Sequence, residues 1–249
     1  MLASQRKQLI LGILAKEKQV QSTELSQRFA ISEDSIRRDL RELAAEGLLQ
    51  RVHGGALPVS AAIAPLAARK SVQINSKRRI AKKAVQLIQP GQVIIIDGGT
   101  TTAEMLKLLP EDLSCTVVTH SPGIAVGLID YPAIEVILIG GKLFKHSMVT
   151  MGASMIESIA RINADIFFMG VTGVHRKAGL TTGNYEEASV KRAICERAAE
   201  TVVMASQEKL NSASPFVIGD LTLASTLVIE DVIDTDLADY LKSKHIAVL

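Results

Sequence analysis

Three stretches near the N-terminus repeat apolar residues with the spacing of short amphipathic helices. The first covers residues 4–15, and its apolar side chains fall on one side of a helix, at Leu9, Ile10, Ile13 and Leu14. In the second stretch Leu25 and Phe29 lie four residues apart, and Ser22 is predicted to cap the N-terminus of that helix. The tight connection that follows, at residues 30–31, predicts a helix-turn-helix.

The third stretch is the clearest of the three. Its apolar residues fall at i, i+4 and i+7 and form one predicted buried stripe, made of Ile36, Leu40 and Leu43. Ser32 is the predicted N-cap, and Gly47 is a natural place for the helix to stop. Residues 48–52 are short and β-prone, and residues 53–55 read His-Gly-Gly, which is typical of a turn. Three helices followed by a small hairpin predict a winged helix-turn-helix.

The pattern changes after this unit, which defines the predicted domains. Residues 58–75 are rich in Ala, Pro, Ser and Val without a clear period, and they are predicted to be a linker between residues 1–57 and residues 76–249. The alternative is that this stretch holds a strand and a helix of the second domain. From Ser76 to Gln89 the spacing is again helical, and Pro90 and Gly91 end the helix.

Short apolar runs then alternate with helical stretches. The predicted strands are Val93–Ile96, Thr116–Thr119, Val136–Ile139, Ile166–Met169, Val202–Ala205 and Leu227–Ile229. The predicted helices between them include Thr102–Leu109, Ser154–Ile162 and Glu186–Ala199. Nearly continuous apolar strands that alternate with helices predict an α/β domain with a parallel sheet covered on both faces.

Charge is distributed unevenly along the chain. Residues 1–83 hold 16 Lys and Arg against 7 Asp and Glu, whereas the remainder holds 12 against 19. This asymmetry favours a polyanionic partner for the N-terminal part, although an asymmetric solvated surface is the alternative.

The two cysteines and five histidines have no metal-binding spacing, which predicts no metal site and a reducing, cytoplasmic location. No apolar stretch approaches the ~20 residues that would span a bilayer.

The outer face of the third helix carries candidate DNA-reading residues. Arg38 lies almost opposite the buried stripe, with Ser35 and Arg41 on the same outer face and Arg37 on a flank, as a recognition helix requires. The alternative is an ordinary surface helix with ion pairs such as Asp34–Arg38 or Arg38–Glu42. The full set predicted to contact DNA is Ser22, Thr23, Ser32, Ser35, Arg37, Arg38, Arg41, Arg51 and His53.

A second candidate site follows the first predicted strand of the sheet, where the sequence reads Asp97-Gly-Gly-Thr-Thr-Thr-Ala-Glu104. Glycines at the carboxyl end of a strand and threonines that open a helix are typical of anion binding, although a plain turn with threonine caps is the alternative. Lys142 and Lys191 could neutralise a phosphate. The full set predicted to bind a small-molecule effector is Asp97, Gly99, Thr100, Thr101, His120, Ser121, Gly141, Lys142, Gly173, Glu187 and Lys191.

These motifs together resemble the DeoR family of bacterial transcriptional regulators. The resemblance rests on residues 31–40 and 47–56, and it continues through residues 97–101, 119–121, 140–141, 170–173 and 187–191, so it covers nearly the whole chain. It implies a winged helix-turn-helix followed by a Rossmann-like sensor domain of the kind shared with ribose-phosphate isomerases and CoA transferases. Members of the family typically sense phosphorylated sugars or related metabolites, and most act as repressors.

Two departures from the family pattern concern the effector. The family usually has Asn where His120 stands, and often Asp-His-Ser-Lys where residues 206–209 read Ser-Gln-Glu-Lys, so that only Lys209 matches. We therefore expect the identity of the effector, more than the fold, to differ from that of other members.

Three functions follow from these expectations. The first is a repressor that binds double-stranded operator DNA as a homodimer or homotetramer, is controlled by a phosphorylated sugar, and uses no cofactor. The second is a sugar-phosphate isomerase, which residues 170–174 disfavour because they hold no acid or base for proton transfer. The third, an architectural nucleic-acid-binding protein without a ligand, leaves the glycine loops unexplained.

Overall fold

The computed structural model describes residues 1–231 and 233–249. Its N-terminal unit contains three helices, α1 (Ala3–Glu17), α2 (Ser22–Phe29) and α3 (Glu33–Ala45). Three short strands complete the unit: β1 (Val20–Gln21), β2 (Gln50–Val52) and β3 (Gly55–Leu57). The strands form an antiparallel sheet in the order β1-β3-β2, and the hairpin of β2 and β3 is the predicted wing.

The apolar core of this unit largely follows the predicted spacing. The buried residues from the three helices are Ile10, Leu14, Leu25, Ile36, Leu40 and Leu43. The prediction was wrong for Leu9, which is 49% exposed, and Leu11 packs against the core in its place. Helix α1 is therefore rotated slightly from the predicted orientation, because a helix of 3.6 residues per turn places Leu11 and Leu14 on the same side.

The helix ends agree with the sequence at α3 and differ at α2. The hydroxyl of Ser32 accepts a hydrogen bond from the backbone N–H of Ser35, so the predicted cap of α3 is confirmed. Gly47 follows the helix with a φ of 73°, a conformation that favours glycine. Ser22 is the first residue of α2 and does not cap it, because β1 ends at Gln21 and the Ser22 N–H donates to the carbonyl of Gly54 in the wing turn.

The linker has structure of its own. It contains a short 3-10 turn at Ala61–Ile63 and helix α4 (Leu66–Arg69), and helix α5 (Ile74–Val85) follows. Val59 forms an isolated parallel bridge with Ala213, and the N–H of Leu66 donates to the carbonyl of His146. The linker is thus attached to the C-terminal domain at several points.

The C-terminal domain is built on a parallel sheet of seven strands in the order β15-β14-β12-β9-β4-β5-β6. These strands are β4 (Val93–Ile96), β5 (Cys115–Thr119), β6 (Ile134–Leu138), β9 (Ala164–Gly170), β12 (Ala198–Met204), β14 (Thr226–Val228) and β15 (Ala247–Val248). The six predicted strands are all present, with their bounds shifted by at most a few residues, and β15 is an additional edge strand. The predicted α/β Rossmann-like class is therefore confirmed.

Helices cover both faces of the sheet. On one face lie α5, α6 (Thr100–Leu106) and α7 (Pro122–Gly127), and on the other lie α8 (Ala153–Ile159), α9 (Tyr185–Cys195) and α10 (Thr235–Ser243). Along β9, Ile166 and Phe168 pack in the core between the sheet and helices α5, α6 and α7. Phe167 and Met169 pack in the core on the other face, against α8, α9 and α10. Successive side chains of a strand point to opposite faces, which explains why a buried central strand is apolar throughout.

Two small antiparallel sheets lie beyond the central sheet and were not predicted. Strands β7 (Lys142–Phe144) and β8 (Val149–Met151) form a hairpin. Strands β10 (Gly173–His175), β11 (Gly179–Thr182) and β13 (Phe216–Gly219) form a three-stranded sheet. None of the described helices combines the length and the apolar character that crossing a bilayer requires.

Candidate functional site

The outer face of α3 presents two arginines to solvent. Arg38 and Arg41 are exposed, and neither forms an ion pair with any residue that the structure describes. Arg37 is instead held by its own helix, since its guanidinium lies 2.7 Å from Glu33 Oε2 and 3.8 Å from Asp34 Oδ1. The alternative pairs of Arg38 with Asp34 or Glu42 do not form, which leaves the Arg38 guanidinium available to a ligand.

Charged contacts fix α3 against α1. The carboxylate of Asp39 is buried and accepts two hydrogen bonds from Arg6, at 2.5 and 3.0 Å. Lys7 Nζ lies 2.5 Å from Glu42 Oε2 and lowers the pKa of that carboxyl, chiefly through this hydrogen bond. Sequence reasoning missed Asp39 as a positioning residue, although a carboxylate within the apolar stripe of α3 is the signal that could have identified it.

The other predicted DNA contacts are distributed around this helix and the wing. Thr23, Arg51 and His53 are exposed, and the Ser35 hydroxyl lies 3.1 Å from that of Ser32. Ser22 is only 4% exposed, so its side chain is not presented to solvent. The predicted DNA-contacting residues whose side chains reach solvent are therefore fewer than the full predicted set, and they are centred on the N-terminal half of α3.

The candidate effector cleft lies at the carboxyl ends of β4 and β9, as the glycine and threonine pattern predicts. It is lined by Arg69, Gly98, Gly99, Thr100, Thr101, Thr102, Gly170, Val171, Thr172, Thr182, Glu187, Lys191 and Lys209. Five of the predicted effector residues are in this lining: Gly99, Thr100, Thr101, Glu187 and Lys191. In the structure as it stands, the cleft encloses about 20 Å³, comparable to the space that one water molecule needs.

Asp97 lies beneath the cleft and organises it. Its carboxylate is completely buried and accepts hydrogen bonds from His120 Nε2 at 2.8 Å, from the backbone N–H of Gly170 at 2.9 Å, and from Lys191 Nζ. Burial alone would raise the pKa of Asp97, but the charge of Lys191 and the contact with His120 outweigh it and lower the pKa to about 2. Asp97 is therefore a permanently ionised anchor for Lys191.

Lys191 connects this anchor to the wall of the cleft. Its ammonium group also donates to the carbonyl of Gly170 at 2.9 Å and lies 3.6 Å from Glu187 Oε1. Burial would lower the pKa of Lys191, but the carboxylates of Asp97 and Glu187 raise it above its usual value. Glu187 is positioned in turn by Thr182, whose hydroxyl donates to its Oε2 at 3.1 Å.

Several predicted effector residues lie outside the cleft lining. His120 is buried between Asp97 and the carbonyl of Thr150, and the hydroxyl of Ser121 donates to the carbonyl of Met148. Both residues thus join β5 to the β7–β8 hairpin. Gly141 and Lys142 belong to that hairpin, where Lys142 is exposed.

Gly173 is likewise outside the lining and packs tightly in β10. A Cβ atom at this position would lie 2.6 Å from the carbonyl oxygen of Ser212 and 2.6 Å from the hydroxyl of Thr181. Gly98, in contrast, lines the cleft, and a Cβ atom there would approach Val149 Cγ1 to 2.2 Å. Close packing, rather than an unusual backbone angle, explains the requirement for glycine at both positions.

Three cations near the cleft were absent from the predicted site. Lys209 follows β12 and is 5% exposed, Arg69 comes from the linker, and Lys77 comes from α5. Burial lowers the pKa of Lys209 to about 8; Glu208 opposes this effect, whereas the neighbouring cations reinforce it. Burial also lowers the pKa of Arg69 and of Lys77. Of these three cations, only Lys209 had a signal in the sequence, because Lys209 matches the DeoR pattern.

Two buried polar atoms of the lining have no hydrogen-bond partner among the described residues: the hydroxyl of Thr101 and Nε of Arg69. Buried polar groups are nearly always hydrogen-bonded, so unpaired donors that border one cleft indicate a surface built to bind a hydrogen-bond acceptor. Over residues 1–231 and 233–249, no cluster of three or more His, Cys, Asp or Glu side chains could hold a metal ion.

Two family models match the chain. Residues 6–61 match the DeoR-like helix-turn-helix domain, and residues 72–231 match the DeoR C-terminal sensor domain. The chain is 34% identical to the HTH-type transcriptional regulator GlpR of Haloferax volcanii over 100% of this chain and 98% of that one. It is 29% identical to the glycerol-3-phosphate regulon repressor of Escherichia coli (strain K12), over 91% and 90% of the two chains.

Among solved structures, ribose 5-phosphate isomerase A of Methanocaldococcus jannaschii is similar over 54% of this chain and 53% of that chain, with 22% identity and a TM-score of 0.40. The two family matches, and the relatives that align over nearly the whole chain, determine the family to which this chain belongs. The chain belongs to the DeoR family of helix-turn-helix transcriptional regulators.

Proposed function

We propose that this protein is a cytoplasmic repressor of a carbohydrate-metabolism operon and that a phosphorylated sugar or related metabolite controls it. The proposal of a phosphorylated effector rests on one observation: several largely buried Lys and Arg side chains lie at the cleft. Arg69, Lys191 and Lys209 line the cleft, and Lys77 lines the adjoining cavity. The carboxylates beside these four cations are Asp97, which Lys191 neutralises, Glu187 and Glu208. Surplus positive charge beside unpaired donors favours a phosphate group.

The DNA-reading part of the proposal rests on α3. Its buried stripe and the Arg6–Asp39 contact fix its orientation, while Arg38 and Arg41 on the outer face have no ion-pair partner in the described part of the chain. A recognition helix uses its N-terminal residues on base edges, and an arginine can bind guanine through two hydrogen bonds. The exposed wing residues Arg51 and His53 are positioned to contact the adjacent DNA backbone.

The arrangement of the carboxylates supports sensing over catalysis. Proton abstraction requires a carboxylate that can reach the substrate and whose pKa lies near the working pH. Asp97 has a pKa of about 2 and all of its contacts are to protein groups. The carboxylate of Glu187 accepts a hydrogen bond from the hydroxyl of Thr182, and its backbone N–H donates to Asn184 Oδ1. The relatives described above are named as regulators, which agrees with a non-enzymatic role.

We further propose that the protein acts as a homodimer or homotetramer. One helix-turn-helix unit is small, and paired units read two half-sites of an operator. Strand β6 is an edge of the seven-stranded sheet, and its residues Ile137 and Leu138 are 40% and 49% exposed. An apolar edge strand is a natural surface for pairing with a second copy of the chain. Light scattering coupled to size exclusion measures the oligomeric state directly.

The experiment that tests the function combines DNA selection with effector screening. The full chain is used to select duplexes from a random DNA pool, and the selected duplex is then titrated at fixed salt with and without pentose, hexose and triose phosphates. We expect one enriched motif with half-site symmetry and a change in affinity with at least one sugar phosphate but not with its unphosphorylated sugar. Failure to enrich any motif would refute the regulator, and turnover of a sugar phosphate would favour an isomerase.

A further inference from the structure

The linker contributes a wall of the cleft that the parallel sheet does not provide. Helix α4 ends at Arg69, and the side chain of this arginine borders the cleft together with Thr101 and Lys209. The adjoining small cavity is bounded by two further linker residues, Ala62 and Val72. We name linker residues 58–73 the strap, because three of them border the cleft or the adjoining cavity: Ala62, Arg69 and Val72.

Arg69 is a cation that protein groups leave only partly satisfied. Its Nε is buried with no acceptor in reach among the described residues, and the nearest cations include Lys77 and Lys209. Leaving a buried donor of a cation unpaired costs free energy, and such a group calls for a partner such as a bound anion. The chemistry that satisfies a planar guanidinium is an anion with two oxygens on one face, such as a phosphate monoester.

The carboxylates nearby do not provide this partner. Asp97 is occupied by Lys191 and His120, and Glu187 lies 3.6 Å from Lys191. Glu208 borders the adjoining cavity with Arg69 but forms no ion pair with it, since its Oε1 accepts a hydrogen bond from Ser206 and its Oε2 has no partner among the described residues. The unpaired Thr101 hydroxyl borders the same space as the Arg69 guanidinium. A phosphate between these groups would accept hydrogen bonds from Thr101 and Arg69 and would be neutralised by Lys209.

We propose that Arg69 is a direct ligand of the effector's phosphate group, and that this contact connects the effector cleft to the wing through the strap. This inference rests on the proposed effector site. It adds that one of the residues that determine specificity for a phosphate lies on the segment that joins the two domains, whereas the other lining residues belong to the C-terminal domain.

The connection to the wing is short. Strand β3 ends at Leu57, and two residues later Val59 forms its bridge with Ala213. At the other end of the strap, Lys77 donates to the backbone carbonyls of Arg69 and Val72. Because the cleft encloses about 20 Å³, a sugar phosphate enters only if a wall moves, and the strap is the wall that comes from the linker. A shift of Arg69 therefore changes the segment that holds the wing.

The test measures thermal unfolding of the full chain with inorganic phosphate and with a panel of sugar phosphates as probes. Four proteins are compared: wild type, Arg69→Gln, Arg69→Lys and the control Lys70→Gln, which removes an exposed charge from the neighbouring strap position. We expect the midpoint of wild type and of Lys70→Gln to rise equally with a sugar phosphate. Arg69→Gln should lose most of the rise, with at least a tenfold weaker apparent affinity, and Arg69→Lys should be intermediate.

Without any anion, Arg69→Gln should unfold at or above the wild-type midpoint, since the substitution removes a guanidinium whose buried Nε has no partner among the described residues. Hydrogen exchange over residues 58–73 should change on addition of the probe in wild type and not in Arg69→Gln. If a sugar phosphate raises the unfolding midpoint of wild type and of Arg69→Gln equally, the proposal that Arg69 is a ligand is refuted, and the proposed effector site is still supported. If wild type responds to none of the phosphates, the effector site and the role of Arg69 are both refuted.

Discussion

Replacing Asp97 by asparagine should destabilise the C-terminal domain more than any exposed substitution. Asp97 and Lys191 are both buried and in direct contact, and the asparagine variant leaves the ammonium of Lys191 with only Glu187 and a carbonyl as partners. Removing one partner of a buried ion pair typically costs about 3–5 kcal/mol, because the remaining charge is uncompensated.

The pKa of Asp97 gives an independent magnitude. Its value falls from 3.8 to about 2 on folding, and at 1.36 kcal/mol per unit this corresponds to roughly 2.5 kcal/mol of stability at neutral pH. Since the folded pKa lies below the unfolded value, this stability is present above pH ~4 and is lost as the pH falls through about 2. This value and the cost of breaking a buried ion pair describe the same interaction, so they are not added. We therefore expect Asp97→Asn to lower the free energy of unfolding by about 3 kcal/mol.

Urea denaturation of the full chain, followed by circular dichroism at pH 7 and at pH 3, measures this loss. The difference between wild type and Asp97→Asn should shrink at pH 3, and the exposed Asp130→Asn control should match wild type at both values. Adding Lys191→Met should recover part of the loss, because the double variant no longer buries an unpaired cation. A loss below 1 kcal/mol at pH 7, or additive effects of the two substitutions, would refute the buried ion pair.

Three further predictions concern both domains. Arg38→Ala should weaken binding to a selected operator by ~1–3 kcal/mol in gel-shift titrations at fixed salt, whereas Arg37→Ala should cost less because Glu33 already occupies that side chain. Ser32→Ala should lower the stability of the N-terminal domain by about 1 kcal/mol through loss of the α3 cap, measured by denaturation. Phosphate affinity should fall as the pH rises through about 8, where Lys209 loses its proton, and calorimetry with Lys209→Met should show a flatter profile.

The elements of the fold could be predicted because each has a local period. The stripe Ile36, Leu40 and Leu43 identifies α3, and the apolar run of β9 identifies a central strand. The antiparallel strands β10, β11 and β13 were missed because they are short and include Gly and Thr, which give neither an apolar run nor a clear alternation. Leu9 was placed inside because it lies about 100° around the helix from Ile10, at the edge of the predicted apolar face, and the face that packs is centred farther toward Leu11.

The candidate effector cleft could be predicted only where its residues are adjacent in sequence. Residues 98–102 follow one strand and were identified together, and Lys191 was found through the family pattern. Arg69 lies 28 residues before Asp97 in a segment without periodicity, so no local signal connects it to the cleft. Proximity created by tertiary folding, such as that of Arg69 to Lys209, is not encoded in the spacing of either residue.

The two departures from the family pattern have different consequences once their positions are known. His120 stands where the family has asparagine, but its ring joins Asp97 to the carbonyl of Thr150 and does not line the cleft. Its effect on the effector is therefore indirect, through the support of Asp97. Glu208 borders the cavity next to Arg69 and Lys209, and its buried Oε2 has no hydrogen-bond partner within residues 1–231 and 233–249. A carboxylate there repels a second anionic group and accepts hydrogen bonds from hydroxyls, so the identity of the effector depends more on residue 208 than on residue 120.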